Sequence, residues 1–371
     1  MNIAIIGSGP TGSLAAISLA SIGCRVDLYE RLSDETLINK SRAYAITHSS
    51  RKLLDKFKLW DKLLPELNPF QHLNVVDYES NNLVRFDLND LCTKDKDNSA
   101  LGWIVDHQKL MSYFLETIST NQNINKIPTS VIPNTNNYDL IVVADGAKSN
   151  VKKRLNIPSF SFSYDQVCIT AKVLLRGING DEAFEILTSE GPFAVLPLGG
   201  DLFQIVCSTS VEKSSYLTKL PNYLFLDYLA TILPYGIEPD TLVDEPKSFP
   251  IKFLINYSLF YGKYIFIGES AHVLHPVGGQ GLNLCWRDVT TLTNIISRSI
   301  LKNKTNIFIP ITYSFSRLID IISISFVADN LVRFSRADSR LFFIPKTLTF
   351  YMLKKFSFFR RSILKIFTNG L

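Results

Sequence analysis

Ile3-Ala4-Ile5-Ile6 runs directly into Gly7-Ser8-Gly9-Pro10-Thr11-Gly12, and an Ala/Leu-rich stretch follows from about Thr11 to Ile22. The apolar run reads as a buried parallel strand, the glycines as a tight turn, and the stretch after them as a helix. Gly7 permits the turn, Gly9 lets the backbone approach a pyrophosphate, and Gly12 lets the helix pack close to the strand. The helix N-terminus, opened by Pro10 and Thr11, presents free N–H groups to phosphates. A second strand, Arg25-Val26-Asp27-Leu28-Tyr29, ends at Glu30-Arg31. Glu30 lies 18 residues past Gly12, close to the spacing at which an acid accepts hydrogen bonds from ribose hydroxyls. The glycine pattern alone is weak and also fits a chance turn; strand, helix and terminal acid together make it a dinucleotide-binding unit.

Two further segments extend this reading. Tyr138-Asp139-Leu140-Ile141-Val142-Val143-Ala144 fits a buried parallel strand that delivers Asp145-Gly146 to the carboxyl edge of the sheet, where ligands bind in such folds. An aspartate there also serves as a helix cap or turn residue. Lys263 to Ile267 reads as another strand, followed by Gly268-Glu269-Ser270-Ala271-His272-Val273-Leu274-His275-Pro276-Val277-Gly278-Gly279-Gln280-Gly281-Leu282-Asn283 and a long helix to about Leu301. A carboxylate after the strand can hold ribityl hydroxyls, and glycine-rich backbone can lie flat against an isoalloxazine ring. The helix behind it points its positive end at the ring edge where charge gathers on reduction. His272 and His275 lack a third ligand and read as packing or hydrogen-bonding residues, so no metal site is expected. Arg42, in Ser41-Arg42-Ala43, either clamps phosphate or the flavin edge or is a solvated surface arginine.

With 371 residues the chain exceeds what one core supports, and 46% hydrophobic with 20% charged residues describes a globular protein. The expected fold is α/β: a Rossmann-like, three-layer FAD-binding domain interleaved with a mixed or antiparallel substrate domain, plus C-terminal helices. Cofactor-side segments are expected at 1–72, 99–158 and 251–301, substrate-side segments at 73–98 and 159–250, and a helical region at 302–371. Short strands are expected at Leu73–Tyr78, Val167–Leu175, Phe184–Leu187, Phe193–Leu198 and Leu202–Ser208. One helix is expected at about Leu217–Leu233, another at Ser50–Leu64, and a loop at 119–137 with at most a short strand near Lys126–Ile132. There is no second glycine fingerprint in the substrate block, so a nicotinamide donor would bind transiently.

The five cysteines (Cys24, Cys92, Cys168, Cys207, Cys285) are never arranged as CxxC, which argues against a structural zinc site and a flavin disulfide reductase. A net charge of +5 with no aromatic-interleaved basic motif gives no reason to expect nucleic acid. The nearest candidate for a membrane span, Ile307 to Val327, is interrupted by Pro310, Arg317 and Asp320, so no span is expected. The first strand begins at residue 2, so no signal peptide and a cytoplasmic location are expected. From Leu341 to Leu371, Phe342, Phe343, Phe350, Phe358 and Phe359 interleave with Lys354, Lys355, Arg360, Arg361 and Lys365. That composition suits either a peripheral contact with an anionic membrane or a helix pair with a solvated basic face.

The chain resembles the single-component FAD-dependent aromatic hydroxylases (class A flavoprotein monooxygenases), most of all the ubiquinone-biosynthesis hydroxylase branch. The resemblance rests on the Gly7–Gly12 turn with Glu30-Arg31, Ser41-Arg42-Ala43, and Ala144-Asp145-Gly146-Ala147-Lys148-Ser149. It extends through Gly191-Pro192-Phe193-Ala194-Val195-Leu196-Pro197-Leu198, His275–Asn283 with Arg287-Asp288, and Asp329-Asn330-Leu331-Val332-Arg333-Phe334. It implies that Gly7, Gly9 and Gly12 hold the pyrophosphate and Glu30 the adenosine ribose, that Arg42 contacts the cofactor, and that Asp145 serves both FAD and the nicotinamide donor. Pro276 through Asn283 would line the flavin ring. The implied reaction is hydroxylation of a polyprenylated phenol with NAD(P)H and O2 through a flavin C4a-hydroperoxide, with no protein nucleophile and no assigned catalytic residue. A homo-oligomer or a quinone-biosynthesis complex on the inner membrane face is the implied assembly.

Three positions depart from the family pattern. Glu269 stands where Asp is usual and carries its carboxylate one methylene further out; Lys152 replaces an Arg and loses the bidentate fork; the segment from Ile118 to Tyr138 is about half the usual length. These departures motivate one alternative, a non-catalytic flavoprotein fold that binds lipid or protein. The other is a flavin-dependent reductase of isoprenoid chains, which shares the first fingerprint.

Overall fold

The computed structural model describes residues 1–91, 100–302, 306–336 and 340–369; Cys92 and the side chains of Phe334, Phe342 and Phe343 lie outside the described residues. The strands are β1 (Asn2–Ile6), β2 (Arg25–Glu30), β3 (Ala43–Ile46), β4 (Leu67–Phe70), β5 (His72–Asp77), β6 (Asn82–Phe86), β7 (Gly102–Asp106), β8 (Ile124–Pro128) and β9 (Leu140–Val143). They continue as β10 (Ser159–Arg176), β11 (Glu182–Thr188), β12 (Gly191–Gly199), β13 (Leu202–Ser210), β14 (Glu238–Leu242), β15 (Lys247–Asn256), β16 (Phe260–Tyr261), β17 (Tyr264–Phe266) and β18 (His272–Val273). The helices are α1 (Pro10–Ser21), α2 (Asp34–Ile38), α3 (His48–Lys56), α4 (Trp60–Leu63), α5 (His107–Ser119), α6 (Asn150–Arg154), α7 (Val211–Leu217), α8 (Asn222–Ile232), α9 (Gln280–Leu301), α10 (Ile309–Ser335), α11 (Arg340–Lys355) and α12 (Ser357–Asn369).

One sheet has the order β16-β17-β9-β1-β2-β8, parallel from β17 to β8. Its central strands are apolar at nearly every position: on one face Ile3, Ile5, Leu140 and Val142 meet α1, α5 and α9 residues in one core with Leu14, Phe114 and Trp286, and on the other Ala4 and Ile141 pack with Tyr29, Tyr138 and Tyr264. The second sheet, β18-β15-β10-β13-β12-β11-β5-β6 with β14 on β10, is antiparallel except where β11 runs parallel to β5. Its alternation sends Phe184, Ile186, Phe193 and Val195 outward against Phe225 and Leu229 of α8, which leaves Glu185 and Ala194 for the face opposite. A small antiparallel sheet, β3-β7-β4, lies between these in sequence. The fold expected from the sequence, a parallel cofactor sheet interleaved with an antiparallel one and followed by helices, is the fold observed.

Several local expectations are corrected. The helix expected over Leu217–Leu233 is α8, which begins only at Asn222 with Pro221 at its N-cap, and the separate α7 ends at Leu217 where that helix was expected to start. The helical stretch Ser50–Leu64 divides into α3 and α4, with Lys58 in the left-handed region between them at φ 56°. β10 is 18 residues long, continued past its apolar half by pairing of Ser159–Ser163 with β15. The strand in 119–137 is β8, two residues earlier than expected, paired parallel with β2.

The apolar stretch Ile307 to Val327 falls largely on α10, in the region expected to be helical. Pro310, Arg317 and Asp320 do not break it: Pro310 occupies the first turn, where its missing N–H costs nothing, and the helix runs 27 residues. Ile309–Arg333 is long and apolar enough to cross a membrane by length and composition. Its inner face is nevertheless tied to the protein. The Tyr313 hydroxyl donates to the Phe266 carbonyl at 3.2 Å, and Arg317 Nε donates to Asp288 Oδ1 at 2.7 Å.

Candidate functional site

Gly7, at φ 98°, turns the chain sharply after β1, and its N–H donates to the Tyr29 carbonyl at 2.8 Å. A Cβ at Gly12 would stand 1.8 Å from the Gly7 carbonyl oxygen, so only glycine lets α1 pack this close to the turn. A Cβ at Gly9 would meet nothing within 4 Å. Gly9 is the N-cap of α1 and offers no side-chain acceptor, so the N–H groups of the first turn, past Pro10, face that open space.

Glu30 closes this loop from below. Its Oε2 accepts from Ser8 N at 2.7 Å, and its Oε1 accepts from Arg31 N at 2.8 Å and Leu32 N at 2.9 Å. The acid at the end of β2 thus fixes the glycine turn and keeps lone pairs for a ribose hydroxyl. The Arg31 side chain is exposed.

Asp145 and Gly146 follow β9 beside the same turn; a Cβ at Gly7 would lie 2.9 Å from Asp145 Cα. Asp145 Oδ2 accepts from Asn150 N at 2.9 Å and Val151 N at 3.3 Å, which is the capping role the sequence allowed for it. Its Oδ1 is buried and has no protein partner, and neither has the ammonium of Lys152, whose pKa burial lowers.

The third segment closes against the first: a Cβ at Gly268 would stand 3.0 Å from the Thr11 side chain. Gly268 N donates to Asp288 Oδ2 at 2.8 Å. The Glu269 carboxylate is exposed, and no hydrogen bond or ion pair engages it among the described residues. Gly278 and Gly279, at φ 65° and 62°, lay a flat left-handed turn before α9 beside Ala45 of β3. Gln280 Nε2 donates to the Gly278 carbonyl at 3.1 Å, while its Oε1 is buried without a partner. Pro276, Gly281 and Leu282 are half-buried around this turn.

Asn283 is fully used by the protein. Its Oδ1 accepts from Thr47 N and Oγ1, both at 3.0 Å, and from Ser50 Oγ at 2.7 Å; its Nδ2 donates to the carbonyls of Ala45 at 2.7 Å and Gly279 at 3.0 Å. It pins β3 and α3 to the glycine turn. Arg42 stacks on the Phe249 ring at 4.7 Å. Next to it, the Tyr44 hydroxyl is 2.8 Å from His107 Nδ1. His107 Nε2 faces the Leu37 carbonyl at 2.7 Å and so donates to it, which leaves Nδ1 to accept from the tyrosine.

Three groups were not singled out as site residues. Asp288, fully buried, accepts from Gly268 N, from His272 Nε2 at 2.7 Å and from Arg317 Nε at 2.7 Å. Burial works to raise its pKa, but His272 and Arg317 outweigh that and hold it at about 2. His272 is therefore a hydrogen-bond partner of this carboxylate. His275 packs edge-on to Tyr164 at 5.1 Å and accepts from Val277 N at 3.2 Å; burial pushes its pKa down to about 3. Glu185 of β11 faces the glycine turn, with Oε2 3.4 Å from Gly278 N, and desolvation raises it to about 7. An acid inside the strand Glu182-Ala183-Phe184-Glu185-Ile186-Leu187 was the available signal.

The three glycine segments, separated by more than a hundred residues each, meet along one edge of the parallel sheet, and the residues there fit FAD. Open space over Gly9, the uncapped α1 terminus, the unpartnered Asp145 Oδ1 and the unengaged Glu269 carboxylate are the donors and acceptors that a pyrophosphate, a ribose and a ribityl chain require.

Residues 1–99 and 134–305 match the family model described as FAD binding domain. The chain is 27% identical over 315 residues to the uncharacterized protein slr1300 of Synechocystis sp., covering 80% of this chain and 75% of that one. It is 25% identical over 380 residues to the mitochondrial ubiquinone biosynthesis monooxygenase COQ6 of Dictyostelium discoideum, covering 81% and 77%. The fold superposes on p-nitrophenol 4-monooxygenase PnpA from Pseudomonas putida with a TM-score of 0.82 at 17% identity, over 99% of this chain and 98% of that one.

Proposed function

The chain belongs to the FAD binding domain family, and on that premise we propose that it is an FAD-dependent monooxygenase that hydroxylates the ring of a lipid-soluble phenol in ubiquinone synthesis. The observation that carries this is the convergence of Gly7–Gly12, Asp145-Gly146 and Gly268–Asn283 on one sheet edge, with the inner face of the second sheet opposite. The likeness to a ubiquinone biosynthesis monooxygenase over most of both chains supports the substrate class. When bound, FAD would supply the redox chemistry, taking electrons from NAD(P)H and activating O2 for transfer of one oxygen atom to an electron-rich ring carbon.

The chain's residues bind, orient and exclude water. The α1 terminus and Gly9 take the pyrophosphate, Glu30 the adenosine ribose, Glu269 the ribityl hydroxyls, and Asp145 the segment shared with the nicotinamide donor. The turn from Pro276 to Leu282, held by Asn283 and by Asp288 through Gly268, would back the flavin ring. Glu185, across from that turn, is placed to take the phenolic proton through its carboxylate, which raises electron density in the ring to be attacked. The segments 1–72, 99–158 and 251–301 serve the cofactor, 73–98 and 159–250 the substrate, and 302–371 packs as helices, with the protein cytoplasmic and peripheral on the inner membrane face.

The test is a visible absorption spectrum of the FAD-reconstituted protein in air, with and without NADH or NADPH. A bound flavin band that bleaches with donor and recovers in air, with a hydroxylated phenol as product, is expected. Absence of bound flavin at saturating FAD refutes the enzyme and leaves the non-catalytic scaffold; donor-dependent reduction of an isoprenoid chain with no oxygen consumption coupled to product points to the reductase.

A further inference from the structure

Away from the flavin edge, α3, α9 and α10, with Asn369 of α12, line an open cleft of about 590 Å³ that presents Lys52, Lys56, Arg287, Thr290, Ser316 and Arg317, with Asp320 at its wall. Four cations line it, and two carboxylates answer them: Arg287 Nη1 donates to Asp320 Oδ1 at 2.9 Å and Arg317 Nη1 to Asp320 Oδ2 at 2.5 Å, while Arg317 Nε pairs with the buried Asp288, so positive charge remains in excess. Arg287 is only 9% exposed, yet its Nε and Nη2 have no hydrogen-bond partner in the protein. Guanidinium donors buried without an acceptor are costly, and their planar fork matches an oxyanion. Lys56 gives one N–H to Asn294 at 2.6 Å and has two more to offer.

The outer face of α10 borders this cleft. Ile311, Phe315, Ile319, Ile322 and Phe326 recur at spacings of four and three, with Phe315 74%, Ile319 71% and Phe326 68% exposed. From Ile307 to Phe326 the exposed positions of the described chain carry no charge, because Arg317 and Asp320 turn inward. Of the exposed charges at the two ends of the stripe, Lys302 and Arg336 are cationic, and Arg333 is paired with Asp329.

We propose that this cleft is a phosphate site for the headgroup of an anionic lipid, and that the adjoining stripe of α10 lies in the acyl boundary of the same bilayer. An uncharged apolar stripe edged by cations complements an anionic bilayer surface. A second copy of the chain docked on the same stripe would bring two cationic clefts together. The helix lies on the bilayer, since Tyr313 and Arg317 bind its other face to the protein. The site deepens the peripheral membrane placement proposed above and is independent of the flavin chemistry, which stands if vesicle binding fails.

Flotation of the FAD-reconstituted full chain with vesicles tests it, using phosphatidylcholine alone and phosphatidylcholine mixed with phosphatidylglycerol at ~0.1 M salt. Binding to the anionic vesicles is expected, weakened by an order of magnitude or more in Lys52→Gln/Lys56→Gln and lost in Phe315→Ser/Ile319→Ser, with flavin content and melting temperature unchanged. Arg287→Lys, which keeps the charge without the fork, is expected to weaken it as well. Equal binding to both vesicle types overturns the proposal. So does loss of binding in Arg361→Gln/Lys365→Gln of α12 with none in the α3 pair. Stabilisation by millimolar inorganic phosphate without vesicle binding assigns the cleft to a soluble phosphate, and a dimer that dissociates in Phe315→Ser/Ile319→Ser assigns the stripe to a second copy. Either result overturns the lipid.

Discussion

A methyl group at Gly12 has nowhere to go, because the Gly7 carbonyl oxygen stands 1.8 Å from where it would be and both atoms belong to backbone fixed by β1 and α1. Gly12→Ala is therefore expected to displace α1 from the sheet and abolish retention of FAD, read as the flavin-to-protein absorbance ratio after gel filtration. Asp288→Asn is expected to cost about 3–5 kcal/mol in chemical denaturation, since it leaves the Arg317 guanidinium buried against a neutral amide. The pH dependence follows from its low pKa of about 2: stability from this carboxylate is complete above the unfolded value near 4 and is lost as pH falls through 2. Glu185 has the opposite sign. Raised to about 7, it is expected to contribute stability that is full below its unfolded pKa and declines as pH rises through 7, while the carboxylate proposed as acceptor of the phenolic proton would appear over the same window. The rate of hydroxylation should rise through about pH 7 and flatten in Glu185→Gln with flavin binding intact; a wild-type profile retained in the variant removes Glu185 from the reaction. Gly7, Gly12 and Asp145 were legible in the sequence because turn, helix and cap are local. Asp288 was legible only as part of a motif, since its partners Gly268, His272 and Arg317 lie 16 to 29 residues away and meet it only across α9 and α10. Glu185 was passed over because one acid in a strand ordinarily faces solvent, and nothing local says that this face is covered.

Elements were legible where one period dominated. The continuous apolar runs of β1 and β9 and the long α9 announce themselves, and their parallel pairing follows from the helices between them. β10 was seen only as its apolar half, since Ser159, Ser161 and Ser163 give no alternation signal and join the sheet through β15. α10 misled through its charges: Arg317 and Asp320 look like interruptions in a line of sequence, but both face Asp288 and Arg287, so the ion pairs bury the charges and leave the apolar residues outside. The same reasoning gives Asn283 its weight as a joint between elements. Asn283→Ala strips acceptors from Thr47 and Ser50 and donors from the Ala45 and Gly279 carbonyls at once. A loss of at least about 2 kcal/mol is expected, because these groups stay buried when their partner is removed. The flavin affinity should weaken beyond that, since β3 and the Gly278-Gly279 turn separate; an unchanged dissociation constant for FAD in a destabilised variant would confine Asn283 to packing.

At the scale of the molecule, the chain crosses between its two large sheets repeatedly: β5 and β6 leave for the second sheet, β8 and β9 return, β10 to β15 leave again, and β17 and α9 come back. Neither sheet is built from one contiguous stretch of chain, so neither can complete its core alone. The Lys172–Asp106 ion pair and the Glu185–Gly278 contact join β10 and β11 to the first sheet's side directly. A ligand lying along Gly9, Asp145 and Gly279 would touch three segments far apart in sequence, and binding that favours only the folded chain raises stability by about 2.7 kcal/mol at a hundredfold excess over its dissociation constant. Added FAD is therefore expected to raise the melting temperature by on the order of 5 °C, increasing with FAD concentration. Because the sheets are interleaved, far-ultraviolet dichroism and the fluorescence of Trp60, Trp103 and Trp286, all in the first core, should shift together in one transition. Two transitions, with FAD moving only the one that the tryptophans report, would mean that the second sheet unfolds independently and that the contacts between the sheets contribute little to the cooperativity of the whole.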